Sequence, residues 1–235
     1  MKVEIWSDIV CPWCHIGKRR FEAALSRFAH RDEVEVTWRA FELDPSAPRQ
    51  LDGELADHLA RKYGVSRAEA QAMHDSMTAT AAGEGLTFRF DRARSGNTFD
   101  AHRLLHLAAD GGRQEAVKER LLLAYLSEGE PIGDATTLVR LVAEAGLDPA
   151  EARDVLASDR YAGEVRGDER EAAALGATGV PFFVVDRRYA VAGAQPADVL
   201  LEVLDRAWAD THQLTLVTAG GAAPAAGCED GSCTV

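Results

Sequence analysis

Cysteine is scarce in this chain. Only four of the 235 residues are cysteines, too few for a scaffold in which disulfide bonds replace a hydrophobic core. Long apolar runs are missing too, because no stretch reaches the roughly 18 residues that a membrane-spanning helix needs. These two absences exclude a disulfide-rich module and a helical membrane protein. The length fits a globular protein of one domain with a large insertion, or of two small domains.

An excess of positive charge is also missing. The formal net charge is -12, which argues against nucleic acid and against anionic membrane surfaces as partners. No basic segment followed by an apolar stretch precedes the first predicted strand, so we expect no signal peptide. We therefore expect a cytoplasmic protein, in a compartment where thiols are mostly reduced. There, a closely spaced cysteine pair is more typical of catalysis or redox sensing than of structure.

Two of the four cysteines, Cys11 and Cys14, form a Cys-x-x-Cys motif near the start of the chain. An apolar strand precedes the motif, and a helical pattern follows it as far as Arg27. Unpaired N–H groups and the partial positive charge of a helix N-terminus favour a thiolate, so the pKa of Cys11 is expected to lie below about 8.5. Cys14, one turn further along, is placed to attack a mixed disulfide formed at Cys11.

Two other interpretations of this pair are a zinc half-site and a pair of inert buried thiols. A structural zinc site needs about four ligands, often from two such pairs, and the other cysteines of this chain lie far away in the tail. The position between a strand and a helix is typical of redox motifs. We therefore predict a redox site and no metal site.

The chain divides into three parts by its hydrophobic patterns. Residues 2–43 predict a strand, a helix and a second strand, which together make a parallel βαβ unit. Residues 51–158 are mostly helical, with a capping box predicted at Ser66 and Glu69 and helix caps predicted at Asp134 and Asp148. From Asp159 onward the pattern predicts a helix, two strands joined by a tight turn, and a last helix.

This order and five sequence motifs resemble the DsbA family. The similarity is closer to its cytosolic FrnE-like branch, which is grouped with 2-hydroxychromene-2-carboxylate isomerases. It covers residues 1–212 and rests on Cys11-Pro-Trp-Cys-His-Ile-Gly, Trp38-Arg-Ala-Phe-Glu-Leu, Asn97-Thr-Phe-Asp-Ala-His-Arg-Leu, Gly179-Val-Pro-Phe-Phe-Val and Gly193-Ala-Gln-Pro. The resemblance implies an α/β thioredoxin-like fold with a large helical insertion between its βαβ and ββα halves. The domains would be 1–43 with 160–212, an insertion at 44–159, and a flexible tail at 213–235.

The resemblance also implies a thiol–disulfide oxidoreductase or isomerase. Cys11 would be the exposed nucleophile and Cys14 the buried resolving thiol. Pro181 would follow a cis peptide bond after Val180 and lie beside the Cys11 sulfur. Disulfide-containing protein substrates would lie along Val180 and Pro181, and a thiol reductant or oxidant would be the redox partner. No cofactor is implied beyond the redox-active disulfide itself, apart from glutathione as a co-substrate.

Further residues are expected at the substrate groove. Pro12 and Trp13 lie between the cysteines, where periplasmic DsbA enzymes have a thiolate-stabilising histidine. We therefore expect a pKa and a potential less extreme than about 3.5 and about -120 mV. His15 faces either the site or solvent. Asn97 and His102 either shape the groove or act as a helix cap and a packed helix residue.

The remaining cysteines, Cys228 and Cys233, form a Cys-x4-Cys pair in a tail of linker composition. They are a tentative second redox pair, able to bond to each other or to exchange with the first pair. The alternative is two thiols that oxidise incidentally or bind metal.

Two rival functions stay open. One is a glutathione-dependent isomerase or transferase of small aromatic substrates. Members of that sister group usually carry serine at the nucleophile position, so the intact Cys11 argues against it. The other is a metal-binding or holdase module without enzymatic activity.

Overall fold

The computed structural model describes residues 1–212, so the predicted tail with Cys228 and Cys233 lies outside the described residues. A four-stranded sheet of order β2-β1-β3-β4 forms the centre. β1 and β2 are parallel, whereas β3 is antiparallel to both β1 and β4. The predicted α/β thioredoxin-like class and the parallel βαβ unit are therefore confirmed. The strands are β1 (Lys2–Ser7), β2 (Glu35–Ala40), β3 (Phe182–Val185) and β4 (Tyr189–Ala192).

Helix α1 connects β1 to β2, a run of helices lies between β2 and β3, and a last helix follows β4. In residues 1–212, no helix is both long enough and apolar enough to cross a membrane. The helices are α1 (Pro12–Arg27), α2 (Leu55–Tyr63), α3 (Arg67–Gly83), α4 (Phe99–Asp110), α5 (Gln114–Leu123), α6 (Ala135–Glu144), α7 (Pro149–Leu156), α8 (Ala162–Ala174) and α9 (Ala197–Thr211).

The two faces of the sheet are covered by different helices. Because side chains alternate along a strand, Val3 and Ile5 of β1 point to one face, where they pack with Phe21 of α1 and Leu204 of α9. On the opposite face, Trp6 packs with residues of α8 and β3, and its indole N–H donates to the Asp168 carbonyl at 2.8 Å.

The helical segment between β2 and β3 has its own hydrophobic core, built mainly from α4, α5 and α6. Ile9 and Ile16 belong to this core, so the loop and helix that carry the cysteine motif are packed on their far side by the insertion. The insertion also covers the edge of the sheet, since Gln114 bonds both the backbone N–H and the carbonyl of Trp38 in β2, each at 2.9 Å. The domain boundaries proposed from the sequence remain a prediction.

Candidate active site

The Cys-x-x-Cys motif lies where β1 meets α1, as the sequence predicts. Cys11 has an extended backbone (φ -91°, ψ 111°) and is the N-cap of α1. Pro12 occupies the first helical position, where its missing N–H removes no hydrogen bond. The Cys14 N–H donates to the Cys11 carbonyl at 3.1 Å and closes the first turn. The geometry therefore fixes both sulfurs on one rigid helical turn.

A second segment closes on the motif from β3. The Val180–Pro181 peptide bond is cis, as the resemblance implies. The Cys11 sulfur lies 3.6 Å from the Val180 carbonyl oxygen. Gly17 allows α1 to pack closely against Pro181, because a Cβ at position 17 would lie only 2.8 Å from Cγ of Pro181. Cys11, Val180 and Pro181 are thus brought together.

The accessibility of the motif differs from expectation. The side chain of Cys11 is only 4% exposed, so the expectation of an exposed nucleophile is wrong for this conformation. Cys14 is fully buried, as expected for a resolving thiol. Trp13, between them, is 43% exposed and presents an indole at the surface of the site, whereas Pro12 and Val180 are half-buried. A substrate disulfide has to displace neighbours of Cys11 to reach its sulfur.

The two thiols ionise as a coupled pair, and the expectation of a lowered pKa for Cys11 is wrong. The hydrogen bond with Cys14, followed by burial, raises the pKa of Cys11. Burial opposes the ionisation of Cys14 too, but the hydrogen bond from Cys11 and the charge of Lys118 outweigh it, so the pKa of Cys14 is lowered. The sequence-based expectation for the pKa of Cys11 included the effect of the helix N-terminus. It did not include Lys118, because the sequence does not show that this residue lies near the thiols. The loss of the first proton is therefore a property of the pair and not of one sulfur alone.

An acidic residue that sequence analysis missed lies behind the motif. Asp8 is 1% exposed and accepts hydrogen bonds from the N–H groups of Ile9 at 2.7 Å and Leu43 at 2.8 Å. His102 Nε2 lies 3.3 Å from Asp8 Oδ1. Burial raises the pKa of Asp8, but its hydrogen bond and attraction to His102 outweigh burial and hold that pKa below its usual range. A carboxylate three residues before Cys11, at the carboxyl end of a strand, was the available signal.

A buried cation is the second residue that the sequence analysis missed. Lys118 of α5 is fully buried, and its ammonium donates to the Ser7 carbonyl at 3.3 Å. It also stands 5.4 Å from the centre of the Trp38 ring, within the range of a cation–π contact. Burial lowers the pKa of Lys118 to about 8, against the opposing charges of Cys14 and Asp8. The site therefore contains a positive group on the buried side of the dithiol.

His15 lies in the interface between α1 and α5. Its side chain is fully buried, so the solvent-facing alternative is wrong. The ring stacks on Phe88 with centroids 5.8 Å apart, and Nε2 lies 3.4 Å from Glu119 Oε1. Burial lowers the pKa of His15 more than Glu119 raises it. These contacts indicate a packing role and give no contact between His15 and a substrate.

Asn97 and His102 come from the same motif but have different surroundings. Asn97 Oδ1 accepts from the Phe99 N–H at 2.9 Å, which is a capping bond at the start of α4. Its amide group also donates to Glu42 at 3.2 Å. His102 is 1% exposed and packs against Asp8, so it lies behind the dithiol and not in an open groove. Neither contact tests a role in substrate binding, which stays a prediction.

Glu42 is the centre of a second buried network beside the site. Its side chain is fully buried and receives Arg166 Nη1 at 2.5 Å. Arg166 also bonds Glu169 at 2.8 Å, and the two carboxyl groups are themselves hydrogen-bonded. Burial, followed by the hydrogen bond with Glu169, raises the pKa of Glu42 to about 7. Glu42 therefore keeps its proton up to near-neutral pH.

Within residues 1–212, no group of three or more His, Cys, Asp or Glu side chains is arranged to hold an ion. Cys228 and Cys233 fall outside that range, so their pairing and their metal affinity stay predictions.

Comparisons with known proteins agree with this geometry. The chain matches the family described as DSBA-like thioredoxin domain over residues 2–205. It is 50% identical to a solved protein, "probable DsbA oxidoreductase SCO1869 from Streptomyces coelicolor", with a TM-score of 0.87 and coverage of 95% of this chain and 97% of that chain.

Two more distant structures share the fold. The cytosolic disulfide reductase DsbM from Pseudomonas aeruginosa, solved with GSH, is 21% identical with a TM-score of 0.61, covering 88% of this chain and 98% of that one. A 2-hydroxychromene-2-carboxylate isomerase is 13% identical with a TM-score of 0.64, covering 90% and 98%. At these identities the likeness concerns the fold alone.

Proposed function

Because the chain belongs to the family of DSBA-like thioredoxin domains, we propose that it exchanges thiols and disulfides with protein substrates through Cys11 and Cys14. One observation carries the proposal. The Cys11 sulfur lies at the N-terminus of α1 and 3.6 Å from the Val180 carbonyl, next to a fully buried second thiol. This places the attacking sulfur, the resolving sulfur and a strand-like backbone segment within one small volume.

In the oxidation of the dithiol, the pair first loses one proton. Cys14 is fully buried and Cys11 is not, so transfer of the remaining proton from Cys11 to Cys14 gives a thiolate on the more accessible sulfur. That thiolate attacks one sulfur of a substrate disulfide, and the other substrate sulfur leaves as a thiolate. Cys14 then loses its proton and attacks Cys11, which releases the first substrate sulfur. The products are the Cys11–Cys14 disulfide and a substrate dithiol that has gained two electrons.

The surroundings of Cys11 favour an extended peptide as the substrate. Val180 is half-buried beside the sulfur, and a substrate strand placed along it gains main-chain hydrogen bonds. The exposed indole of Trp13 adds an apolar contact for side chains near the substrate disulfide. Pro12, Asn97 and His102 remain candidates for shaping this groove, and the helical insertion for limiting access to it.

The partners follow from the chemistry. Continued turnover needs a thiol reductant or a disulfide oxidant that resets the Cys11–Cys14 pair, and glutathione is a candidate because DsbM, of the same fold, was solved with GSH. We assign the chain to the FrnE-like branch because of the five sequence motifs, and to the cytoplasm because that branch is cytosolic. A glutathione-dependent isomerase is the alternative, and it predicts that Cys11→Ser keeps full activity on a glutathione conjugate.

The experiment is a redox titration of the full chain carrying Cys228→Ser and Cys233→Ser, so that only the first pair reports. The protein is equilibrated in thiol–disulfide buffers and analysed by alkylation and mass. We expect a reversible two-electron couple, with an oxidant or isomerase near about -180 mV and a reductase near about -270 mV. In parallel, Cys14→Ser should accumulate a mixed disulfide with an oxidised test protein, whereas Cys11→Ser should not. Failure to form an internal disulfide would rule out the proposed function.

A further inference from the structure

Lys118 is a buried charge that the exchange steps above do not use. It comes from α5 of the helical insertion and not from the βαβ unit that holds the cysteines. The side chain is fully buried, and its ammonium bonds the carbonyl of Ser7, the last residue of β1. Burying an ammonium costs several kcal/mol unless opposite charges compensate for it. The structure should therefore contain an anion for which Lys118 is the partner.

Four groups that can carry a negative charge face Lys118. Asp8 approaches from the loop after β1, Cys11 and Cys14 from α1, and Glu115 from its own helix. From β2 it meets only the uncharged Trp38 ring. His102 of α4 faces Asp8 on the other side.

Two of these anions already have other partners. Asp8 accepts two backbone N–H bonds and faces His102. Glu115 is 57% exposed and also bonds Lys18 at 2.5 Å. The charge of Lys118 acts most strongly on the thiolate of the cysteine pair, since Cys14 is the first of the attractions that favour its ammonium form. Conversely, Lys118 is the charged group that lowers the pKa of Cys14 most.

We propose that Lys118 is a positioning residue whose ammonium balances the thiolate of the reduced Cys11–Cys14 pair, so that reduction of the disulfide is coupled to proton uptake at Lys118. The inference rests on the proposed redox function and adds the group that sets its energetics. In the step, the disulfide gains two electrons and one proton to become a thiol–thiolate pair. A second proton binds the Lys118 amine in the fraction of molecules where that amine is neutral in the disulfide form.

The sign follows from the charges. In the reduced form the thiolate attracts the ammonium and strengthens proton binding at Lys118. In the disulfide form that negative charge is gone while the burial of the side chain remains, so the proton is held more weakly. Asp8 is charged in both forms and does not distinguish them. A positive Lys118 therefore stabilises the reduced form relative to the disulfide.

The test compares Lys118→Met with Lys18→Met in the full chain carrying Cys228→Ser and Cys233→Ser. Methionine keeps a long unbranched side chain and removes the charge. Lys18 is a matched control because it is 2% exposed in the same α1–α5 interface but is bound to carboxylates of Glu22, Glu115 and Glu119. The readouts are the redox equilibrium with a thiol–disulfide buffer and the ultraviolet absorbance of the thiolate against pH.

We expect Lys118→Met to shift the redox equilibrium toward the disulfide by about tenfold or more, which is about 30 mV for two electrons. We also expect the first thiol ionisation to move to higher pH. Lys18→Met should change neither. A folded Lys118→Met protein whose equilibrium and thiolate titration match those of Lys18→Met overturns the inference.

A measurement on the unsubstituted lysine covers the case in which Lys118→Met does not fold. The dependence of the redox equilibrium on pH gives the protons taken up per two electrons. We expect more protons than the independently measured thiol ionisations supply, and a count that the thiols alone explain overturns the inference. If instead no reversible disulfide forms at all, the proposed function fails and this inference fails with it, which is a separate and recognisable result.

Discussion

Glu42→Gln should be more stable than the native protein in alkaline buffer. In acidic buffer the stability of the two proteins should be nearly the same. Glu42 is fully buried beside Arg166 and is hydrogen-bonded to Glu169. Burial, followed by that shared hydrogen bond, raises its pKa from 4.5 to about 7. Glutamine has the same shape as the protonated acid. Its oxygen can accept from Arg166, and its N–H group can face Glu169, whereas the bond from Asn97, which goes to the other carboxylate oxygen, is lost.

The size of the effect follows from the difference in pKa between the two states. A folded pKa of about 7 against 4.5 differs by about 2.5 units, and each unit is worth about 1.36 kcal/mol, so the limit is about 3 kcal/mol. Folded Glu42 holds its proton more strongly than unfolded Glu42. Its contribution to stability is therefore complete below about pH 4.5, declines as pH rises to about 7, and stays lost above that.

The assay is urea unfolding of the reduced full chain at about pH 5 and about pH 8. At pH 5 the two proteins should differ by less than about 1 kcal/mol, and at pH 8 Glu42→Gln should be more stable by about 1–3 kcal/mol. Glu144→Gln is the control of opposite sign, because hydrogen bonds with Arg120 and then Arg140 lower the pKa of Glu144. That variant should lose stability at pH 8 and less at pH 5. An equal difference for Glu42→Gln at both pH values would refute the reasoning.

Three further substitutions test close packing at the site and buried polar contacts elsewhere in the fold. Gly17→Ala places a Cβ 2.8 Å from Pro181 Cγ, so we expect a loss of about 1–3 kcal/mol in urea unfolding and slower formation of the mixed disulfide; normal values for both would contradict this. Asp8→Asn removes the carboxylate that faces buried His102 and accepts from the Ile9 and Leu43 N–H groups, so a loss of about 1–3 kcal/mol in urea unfolding is expected, and unchanged unfolding would count against these contacts. Arg103→Met removes the donor to the carbonyls of residues 155, 158 and 160, and a loss of about 3 kcal/mol or more is expected; unchanged thermal unfolding would show that water replaces the guanidinium.

The architecture was predictable because its signals are local. Alternation along Val34 to Trp38 gives β2, although the observed strand runs from Glu35 to Ala40. Ser66 and Glu69 form the predicted capping box, and Asp134 and Asp148 accept bonds from the first turns of α6 and α7. Each of these depends on residues a few positions apart. A short sequence pattern is therefore enough to predict each of these features.

The chemistry of the dithiol was less predictable because it depends on distant groups. The Cys-x-x-Cys spacing identifies Cys11 and Cys14, and the resemblance identifies Val180 and Pro181. The direction of the pKa shift at Cys11 was wrong because a thiol pair titrates together. Once Cys11 donates to Cys14, the helix N-terminus no longer decides which sulfur is charged. The hydrogen bond between the thiols contributes most to the lowered pKa of Cys14, and the charge of Lys118, which follows Ser7 by 111 residues, adds to it.

The burial of Lys118 is nevertheless indicated by the sequence. It precedes Leu121 and Leu122 by three and four residues, so helical spacing puts it on the same face as two side chains that are fully buried. A lysine inside an apolar stripe is unusual because its charge is almost never buried without a partner. The apolar stripe predicts that Lys118 is buried, and its burial predicts a negatively charged partner. Only the fold shows which group that partner is. Here the fold brings α5 beneath the first turn of α1, and the cysteine pair becomes a source of negative charge only when it is reduced.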